Sequence, residues 1–344
     1  MIKEIALRIP QVRRLRDSRD ELKNALDSMG KRARDLEDEL RALRSLRPPA
    51  ESPFYAYFSN FDAIEMIRRH EVHGLHPTPG FQTNWLGVLV DPKIHPFLAT
   101  SGNQLEPVPL PANWHADIAE WAAVLQSVEN APRDSFTMIE LGCGWGCWMN
   151  NAGVAARRTG RKVHVVGVEG DAGHIQFAQE ALMRNGFRSD EFTIYRGIAA
   201  AACGTALFPR QEHAGHSWGL EPVFGATQAE QDEAAAFGSH DILPMIALAD
   251  AIGEHSRVDL VHIDIQGGEA DLVEQCMSLI DQKVAYLVIG THSKKIEARL
   301  FDLLGEAGWR IEMERPAFYD VKSTRPILYV DGLQGWRNPL LMNP

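Results

Sequence analysis

The stretch that decides the fold reads Phe136-Thr137-Met138-Ile139-Glu140-Leu141-Gly142-Cys143-Gly144-Trp145-Gly146. A mostly apolar run of strand length leads into three glycines, and an amphipathic helical pattern follows over residues 147–159. A strand, a tight turn and a helix in this order are the first half of a β-α-β unit. Because glycine has no side chain, the turn lets a ligand approach the backbone, and free N–H groups there can donate to it.

Outward from this turn, short apolar runs alternate with helical patterns. The runs are apolar enough for burial on both faces, which indicates a doubly wound α/β sheet of the Rossmann-like type. Ligands of such sheets bind at the carboxyl ends of the strands, so we expect the chemistry after the first, second, fourth and fifth strands. The predicted strands are 136–141, 163–168, 192–195, 258–263, 284–289, 309–313 and 327–330, and the predicted helices are 147–159, 172–185, 242–252, 269–280 and 295–306.

An acidic residue, Glu169, follows the second predicted strand. A carboxylate at this position can accept two hydrogen bonds from a ribose diol, so the acid and the glycine turn together predict a nucleoside site. The glycines alone are also compatible with a plain strand-to-helix turn. A nicotinamide cofactor is not favoured, because Cys147 occupies the third glycine position of its motif. The predicted cofactor-binding residues are Glu140, Gly142, Cys143, Gly144, Trp145, Gly146, Glu169, Gly170, Gly197 and Ile198.

Three segments together resemble the FkbM-like family of class I S-adenosylmethionine-dependent methyltransferases. They are residues 140–146, Glu169, and the run Val258-Asp259-Leu260-Val261-His262-Ile263-Asp264-Ile265-Gln266-Gly267-Gly268-Glu269. In that family the fourth strand leads into Ile-Asp-x-x-Gly-x-Glu, which Asp264, Gly267 and Glu269 match. The resemblance covers residues 135–330.

The resemblance implies methyl transfer from S-adenosylmethionine to a hydroxyl group. Such an in-line displacement needs a positioned nucleophile and a group that takes its proton. His292, just past the fifth strand, is the preferred general base because imidazole titrates near neutral pH, and a helix-capping histidine is the alternative. Asp264 is the second predicted catalytic residue, and it could orient His292, contact the cofactor's ammonium group or bind a cation.

Two further sets of residues are candidates for ligand binding. Asp264 and Glu269, five residues apart, resemble part of an oxygen-rich Mg²⁺ site, so a divalent cation is a possible second cofactor. Residues 204–241 form a long connection of the kind that serves as a lid or a substrate-binding loop. In it, Trp218 could stack on a sugar and His213 or His216 could bind its hydroxyl groups, with ordinary loop packing as the alternative.

The predicted acceptor is a hydroxyl of a sugar, a glycan or a glycosylated natural product. A non-sugar small molecule is the alternative acceptor. A different class of function is a non-catalytic coiled-coil scaffold whose domain senses a nucleoside. Methylation of nitrogen or of protein would predict an Asn/Asp-Pro-Pro-Tyr-like motif after the fourth strand, where this sequence has Asp264-Ile265-Gln266-Gly267.

The N-terminal segment carries a heptad pattern that ends at Pro48 and Pro49. An amphipathic helix with one apolar seam needs a partner, so we expect a coiled coil that makes the chain a homo-oligomer. Packing back on the body and binding to an anionic membrane surface are the alternatives. The predicted organisation is a coiled-coil helix over 1–47, a helical and irregular cap region over 48–130, and the methyltransferase domain over 131–344. The seam comprises Val12, Leu15, Arg19, Leu22, Leu26, Met29, Ala33, Leu36, Leu40 and Leu43.

The charge and composition of the chain limit the molecules that it is expected to bind. The chain of 344 residues has a net charge of −11, divided into +4 over residues 1–47 and −15 over the rest. An acidic body argues against a nucleic-acid substrate, because phosphate binding requires clustered cations. The four cysteines lack paired spacing and indicate reduced thiols. With no apolar run long enough to span a bilayer and no signal peptide, we expect a cytoplasmic protein.

Overall fold

The computed structural model describes residues 18–19, 22–26, 28–32, 52–322 and 324–341. It divides the chain into two compact units, Met1–Ser52 and Pro53–Pro344. The described residues of the first unit are helical, and the seam residues Leu22, Leu26 and Met29 are 69%, 70% and 70% exposed. The rest of the predicted coiled coil lies outside the described residues, so self-association stays a prediction.

The second unit contains sixteen strands within the described residues. They are β1 (Phe58–Ser59), β2 (Gln82–Thr83), β3 (Leu89–Val90), β4 (Gln104–Leu105), β5 (Ser135–Leu141), β6 (Lys162–Glu169), β7 (Phe192–Arg196), β8 (Ile198–Ala200), β9 (Gly204–Pro209), β10 (His240–Ala247), β11 (Leu260–Ile263), β12 (Tyr286–Thr291), β13 (Arg310–Arg315), β14 (Phe318–Asp320), β15 (Ile327–Val330) and β16 (Gly332–Arg337).

Eight of these strands form the central sheet, in the order β7-β6-β5-β11-β12-β16-β13-β1. The five strands from β7 to β12 are parallel, and β16 is antiparallel to both of its neighbours. The chain runs outward from β5 to β7 and returns to β11 on the other side of β5. The predicted doubly wound sheet is therefore confirmed, with its switch in strand order between β5 and β11.

Helices cover both faces of the sheet, which separates the core into two main layers. Within the described residues, the α-helices of the second unit are α1 (Ala63–His70), α2 (Ile118–Asn130), α3 (Cys147–Arg158), α4 (Ala172–Arg184), α5 (Gln228–Phe237), α6 (Leu248–Ile252), α7 (Glu269–Lys283) and α8 (Lys294–Glu306). Strand residues alternate between the two layers, so that Met138 belongs to the layer with α2, α3 and α4 and its neighbour Ile139 to the layer with α6, α7 and α8.

The predicted cap region is part of the same compact unit as the sheet. Met66 of α1 and Trp121 of α2 are buried in one core with Phe136 of β5. The two compact units divide between Ser52 and Pro53, and the domain boundary at residue 130 stays a prediction.

Two predicted elements differ from the structure. Residues 240–247 form strand β10 instead of the start of a helix, because they pair with both β8 and β9, and Pro244 cannot donate a helical hydrogen bond. The strand at 327–330 pairs with β14 in a separate hairpin. Its place in the central sheet is taken by β16, whose Gly332 and Gly335 hide the strand pattern.

The connection over residues 204–241 contains secondary structure of its own. It holds β9, which pairs with β10, and α5, which begins with a capping box formed by Thr227 and Glu230. Among the described residues, no helix is both long enough and apolar enough to cross a membrane.

A substitution at Gly142 tests how closely the glycine turn passes the residue that follows β11. Gly142 has φ +77°, and a Cβ atom there would overlap the backbone oxygen of Asp264, so we expect Gly142→Ala to lower the free energy of unfolding by about 3 kcal/mol or more. Gly160→Ala is the matched control: its φ is +87° and nothing lies within 4 Å of the added atom, so it should cost only about 1 kcal/mol. Urea denaturation measures both, and equal losses would contradict the steric explanation.

Candidate active site

A cavity of about 890 Å³ opens at the carboxyl ends of β5, β6, β11 and β12. The glycine turn, the end of β6 and the end of β11 all contribute to its lining. The predicted residues Gly146, Glu269, His213 and His216 do not line it. The predicted residues that do line it are Glu140, Gly142, Cys143, Gly144, Trp145, Glu169, Gly170, Gly197, Ile198, Trp218, Asp264 and His292.

The N–H groups of the glycine turn have partners within the chain. Those of Gly142 and Cys143 both donate to the backbone oxygen of Val168 at 3.0 Å, and that of Gly144 donates to Glu169 Oε2 at 2.8 Å. The sequence had suggested that these groups are free for a ligand. They instead fasten the turn to the end of β6, because a buried backbone N–H needs a partner.

Glu169 is the polar centre of this side of the cavity. Its side chain is 9% exposed, and its Oε1 atom accepts a hydrogen bond from the backbone N–H of Asp171 at 2.8 Å. Each carboxylate oxygen can accept a second hydrogen bond, so Glu169 retains the capacity to receive the two hydroxyls of a ribose. A nucleoside-containing cofactor therefore fits the residues at this position.

Trp218 covers the glycine turn. Its ring stacks on His174 with a centroid separation of 4.0 Å and an angle of 2°, and a Cβ atom on Gly144 would lie 2.9 Å from the ring. The neighbouring His213 and His216 contact each other outside the cavity. Of the three residues predicted to bind a substrate, the structure thus brings only Trp218 to the cavity.

Glu140 holds the start of α3. Its carboxylate, 2% exposed, accepts hydrogen bonds from the backbone N–H groups of Trp148 at 3.1 Å and Met149 at 2.9 Å. Burial raises the pKa of Glu140 to about 7, and the charge of His262 and these hydrogen bonds limit the rise. A cofactor would meet this residue as a fixed part of the cavity floor.

His292 joins the two carboxylates that follow β11. Its Nδ1 atom lies 2.8 Å from Glu269 Oε1, and its Nε2 atom lies 3.3 Å from Asp264 Oδ1. Burial lowers the pKa of His292, but the hydrogen bonds and charges of both carboxylates outweigh burial and raise it to about 10. The ring is therefore a cation at neutral pH with both nitrogens occupied.

This arrangement gives His292 a different role from the predicted general base. A protonated imidazole between two carboxylates has no nitrogen that can take a proton. Asp264 is the group that faces the cavity: its side chain is 43% exposed, and its hydrogen bonds from His292 and Gln266 both reach Oδ1. Burial of this carboxyl would raise the pKa of Asp264, but the hydrogen bond and charge of His292 keep it below its ordinary value.

The residues of the predicted cation site bond to one another, and the cation itself stays a prediction. Asp264, Glu269 and His292 each offer a ligand atom, and these atoms lie within 4.8 Å of one another. Glu269, however, is 0% exposed, and besides His292 it accepts hydrogen bonds from the N–H groups of Ile265 and Gly267 at 3.2 and 3.0 Å. A cation would have to displace these bonds, so the cluster is better described as a closed hydrogen-bond network.

The sequence did not predict one wall of the cavity, which is formed by the segment before α2 and by the first turn of α2. Trp114, His115 and Glu120 line it, and Glu120 Oε1 accepts a hydrogen bond from Trp148 Nε1 at 3.1 Å and contacts His262 Nε2 at 2.9 Å. His262 lies in β11, two residues before Asp264, and the charge of Asp264 helps to raise its pKa. This short separation in the sequence is a signal that could have placed His262 near the site.

Comparison with known proteins identifies the family. A protein of Jannaschia sp. (strain CCS1) described as a "Putative methyltransferase" is 42% identical over 279 residues, which cover 81% of this chain and 99% of that protein. No family model matches the chain. The identity and the coverage show that the chain belongs to the methyltransferases.

Two solved structures are more distant. The crystal structure of the methyltransferase FkbM from Methylobacillus flagellatus has a TM-score of 0.39 at 14% identity, covering 63% of this chain and 54% of that chain. The crystal structure of a "putative RNA methyltransferase" from Pyrococcus horikoshii has a TM-score of 0.35 at 11% identity, covering 67% of this chain and 89% of that chain. Both TM-scores are too low for an inference about the activity of this chain.

The charge on His292 predicts a dependence of stability on pH. Because its pKa is raised from 6.5 to about 10, the stabilisation from the ring should be complete below pH 6.5 and disappear as the pH rises toward 10. The free energy of unfolding of the wild type minus that of His292→Gln should fall over this range by on the order of 4 kcal/mol. His213→Gln, at a histidine 65% exposed, is the control. A difference that does not change with pH would show that His292 is neutral.

The closed network also predicts indifference to metal. Because Glu269 is buried and already bonded to His292 and to two backbone N–H groups, the melting temperature should be the same in millimolar Mg²⁺ and in EDTA. The measurement is thermal unfolding of the wild type and of Asp264→Asn in both buffers. Stabilisation of the wild type by Mg²⁺ that Asp264→Asn abolishes would establish a cation site.

Proposed function

We propose that this chain is an FkbM-like S-adenosylmethionine-dependent O-methyltransferase that acts on a hydroxyl of a sugar, a glycan or a glycosylated natural product. The observation that carries the proposal is the single cavity that joins Glu169 and the glycine turn to Asp264 and to an aromatic wall. Membership of the methyltransferases supports the reaction class, and the residues of the cavity support the donor and the acceptor.

The cofactor side of the cavity suits S-adenosylmethionine, which supplies an electrophilic methyl group on a positively charged sulfur. Glu169 would hold the ribose hydroxyls, and the glycine turn beside it lines the same cavity. The acids of the cavity also favour a cationic ligand, because Glu169 and Asp264 both face it.

Asp264 is placed to receive the acceptor. Its Oδ2 atom carries no hydrogen bond from any residue that the structure describes, so it can accept the hydrogen of a hydroxyl group. As the oxygen attacks the methyl group, its proton would pass to Asp264. The His292 cation holds the carboxylate ionised and in place, which makes His292 a positioning residue.

Aromatic residues beside a carboxylate suit a sugar acceptor. Trp114 and Trp145 stack with a centroid separation of 6.0 Å, and both line the cavity. The flat faces of indole rings pack against the C–H faces of a sugar, while carboxylates accept hydrogen bonds from its hydroxyl groups. The same combination supports the hydroxyl as the methylated group.

Substitution of Glu169 tests the donor. Isothermal titration of the wild type with S-adenosylmethionine and S-adenosylhomocysteine should give micromolar affinity, and Glu169→Gln should weaken it by at least about tenfold because the amide cannot accept both ribose hydroxyls. Glu233→Gln, at an exposed residue of α5, should leave it unchanged. Failure of the folded wild type to bind either compound would overturn the proposal.

Substitution of Asp264 tests the step at the acceptor. Asp264→Asn cannot take the proton of the hydroxyl, so release of S-adenosylhomocysteine on a panel of methyl glycosides should slow by about 100-fold or more. Asp302→Asn, on the exposed side of α8, is the control. If Asp264→Asn keeps full turnover and instead loses affinity for the donor, Asp264 binds the cofactor and does not act on the acceptor.

A further inference from the structure

Four rings line one part of the cavity. Trp114, His115, Trp145 and Trp148 form what we call the tryptophan wall, and the ring of His115 lies 4.6, 6.3 and 5.7 Å from Trp114, Trp145 and Trp148. Trp148 also contacts His262, whose pKa the charge of Asp264 helps to raise. The wall and the proposed reacting carboxylate therefore line one cavity.

Three charged residues that line the cavity near the start of α2 have partners within the chain. Asp117 and Arg315 form an ion pair at 2.6 Å in which each side chain is 5% exposed. Glu120 is held by His262 and by Trp148 Nε1. Because Arg315 is already paired and Asp264 is an anion, an acidic ligand would gain little attraction and would lose its hydration.

Three polar atoms of the tryptophan wall lack hydrogen-bond partners. Within the described residues, both ring nitrogens of His115 and the Nε1 atom of Trp114 are buried without a hydrogen bond. Buried polar atoms are normally paired, so an unpaired set in a cavity wall indicates a ligand that completes it. Burial lowers the pKa of His115 to about 3, so the ring is neutral and offers one donor and one acceptor.

We infer that the tryptophan wall is the acceptor subsite and that it takes an uncharged ring bearing hydroxyl groups, paired with His115, in preference to an acidic sugar. One hydroxyl group of such a ring can accept from the N–H of a neutral imidazole, and another can donate to its second nitrogen. The flanking indole faces cover the apolar side of such a ring. The inference rests on the proposed function and narrows its acceptor by charge.

The test uses the full-length protein saturated with S-adenosylhomocysteine and saturation-transfer NMR. The neutral probes are the methyl glycosides of glucose, galactose, mannose and rhamnose; the charged probes are glucuronate and galacturonate. We expect at least one neutral glycoside to bind, and each charged sugar to bind at least about tenfold more weakly.

Two variants assign the binding to His115. His115→Phe keeps a ring inside the cage but removes both nitrogens, so it should weaken binding of the neutral glycoside by about tenfold while leaving binding of S-adenosylhomocysteine intact. His164→Phe is the matched control, because His164 also has a buried unpaired nitrogen but does not line the cavity.

The outcomes separate the two proposals. Equal binding of charged and neutral sugars, no binding of any neutral glycoside, or full binding by His115→Phe would each overturn the acceptor inference while S-adenosylhomocysteine still binds. Loss of S-adenosylhomocysteine binding by the wild type would overturn the proposed function on which the inference rests.

Discussion

The site depends on the close crossing of the glycine turn and the end of β11. The backbone N–H of Asp264 donates to the oxygen of Leu141 at 3.1 Å, and Gly142 passes so close to Asp264 that a side chain there would overlap its backbone oxygen. This crossing joins the two halves of the doubly wound sheet at the switch in strand order. It sets how far the proposed donor site on β6 lies from the carboxylate past β11, because both are attached to β5 through backbone hydrogen bonds.

Buried carboxylates organise the backbone around that crossing. Glu140 accepts a hydrogen bond from a backbone N–H at the start of α3, and Glu169 accepts those of Gly144 and Asp171. Glu269 accepts the N–H of Gly267 in the loop between β11 and α7. Each accepts backbone N–H groups, whose partial positive charge compensates the buried charge. The acids that a sequence motif presents as ligand-binding residues therefore also act as the fasteners that give the cavity its shape.

The sequence predicted the strands and helices whose apolar pattern lies within one continuous segment. The glycine turn, the strands that end at Leu141 and Glu169, and the helices behind them follow from apolar runs and turn residues. Strand β16 could not be predicted, because its two glycines weaken the pattern and its place is fixed by pairing with β12 and β13. Strand β10 was predicted as a helix for a similar reason, since its partners β8 and β9 are separate in sequence.

Some residues of the site could be predicted from their place in the sequence, and others could not. The order of acids after each strand placed Glu169 and Asp264 at the cavity, but the contacts of His292 with two carboxylates and the burial of His115 arise only in three dimensions. Trp218 lines the cavity although its neighbours His213 and His216 do not, because the direction of a loop side chain is set by packing, here against His174. Chemical type alone could not distinguish these three residues.

The contacts of Asp117 constrain how mutations could alter the acceptor specificity of this enzyme. Its carboxylate caps α2 through the N–H of Ala119, pairs with Arg315 of β13, and lines the same cavity as the tryptophan wall. A mutation that reshapes the wall from this end also removes a helix cap and leaves a buried guanidinium without its counter-ion. Evolution or engineering would therefore meet a trade-off between new specificity and foldability at the start of α2, whereas an exposed position such as His213 can vary at little risk to the fold.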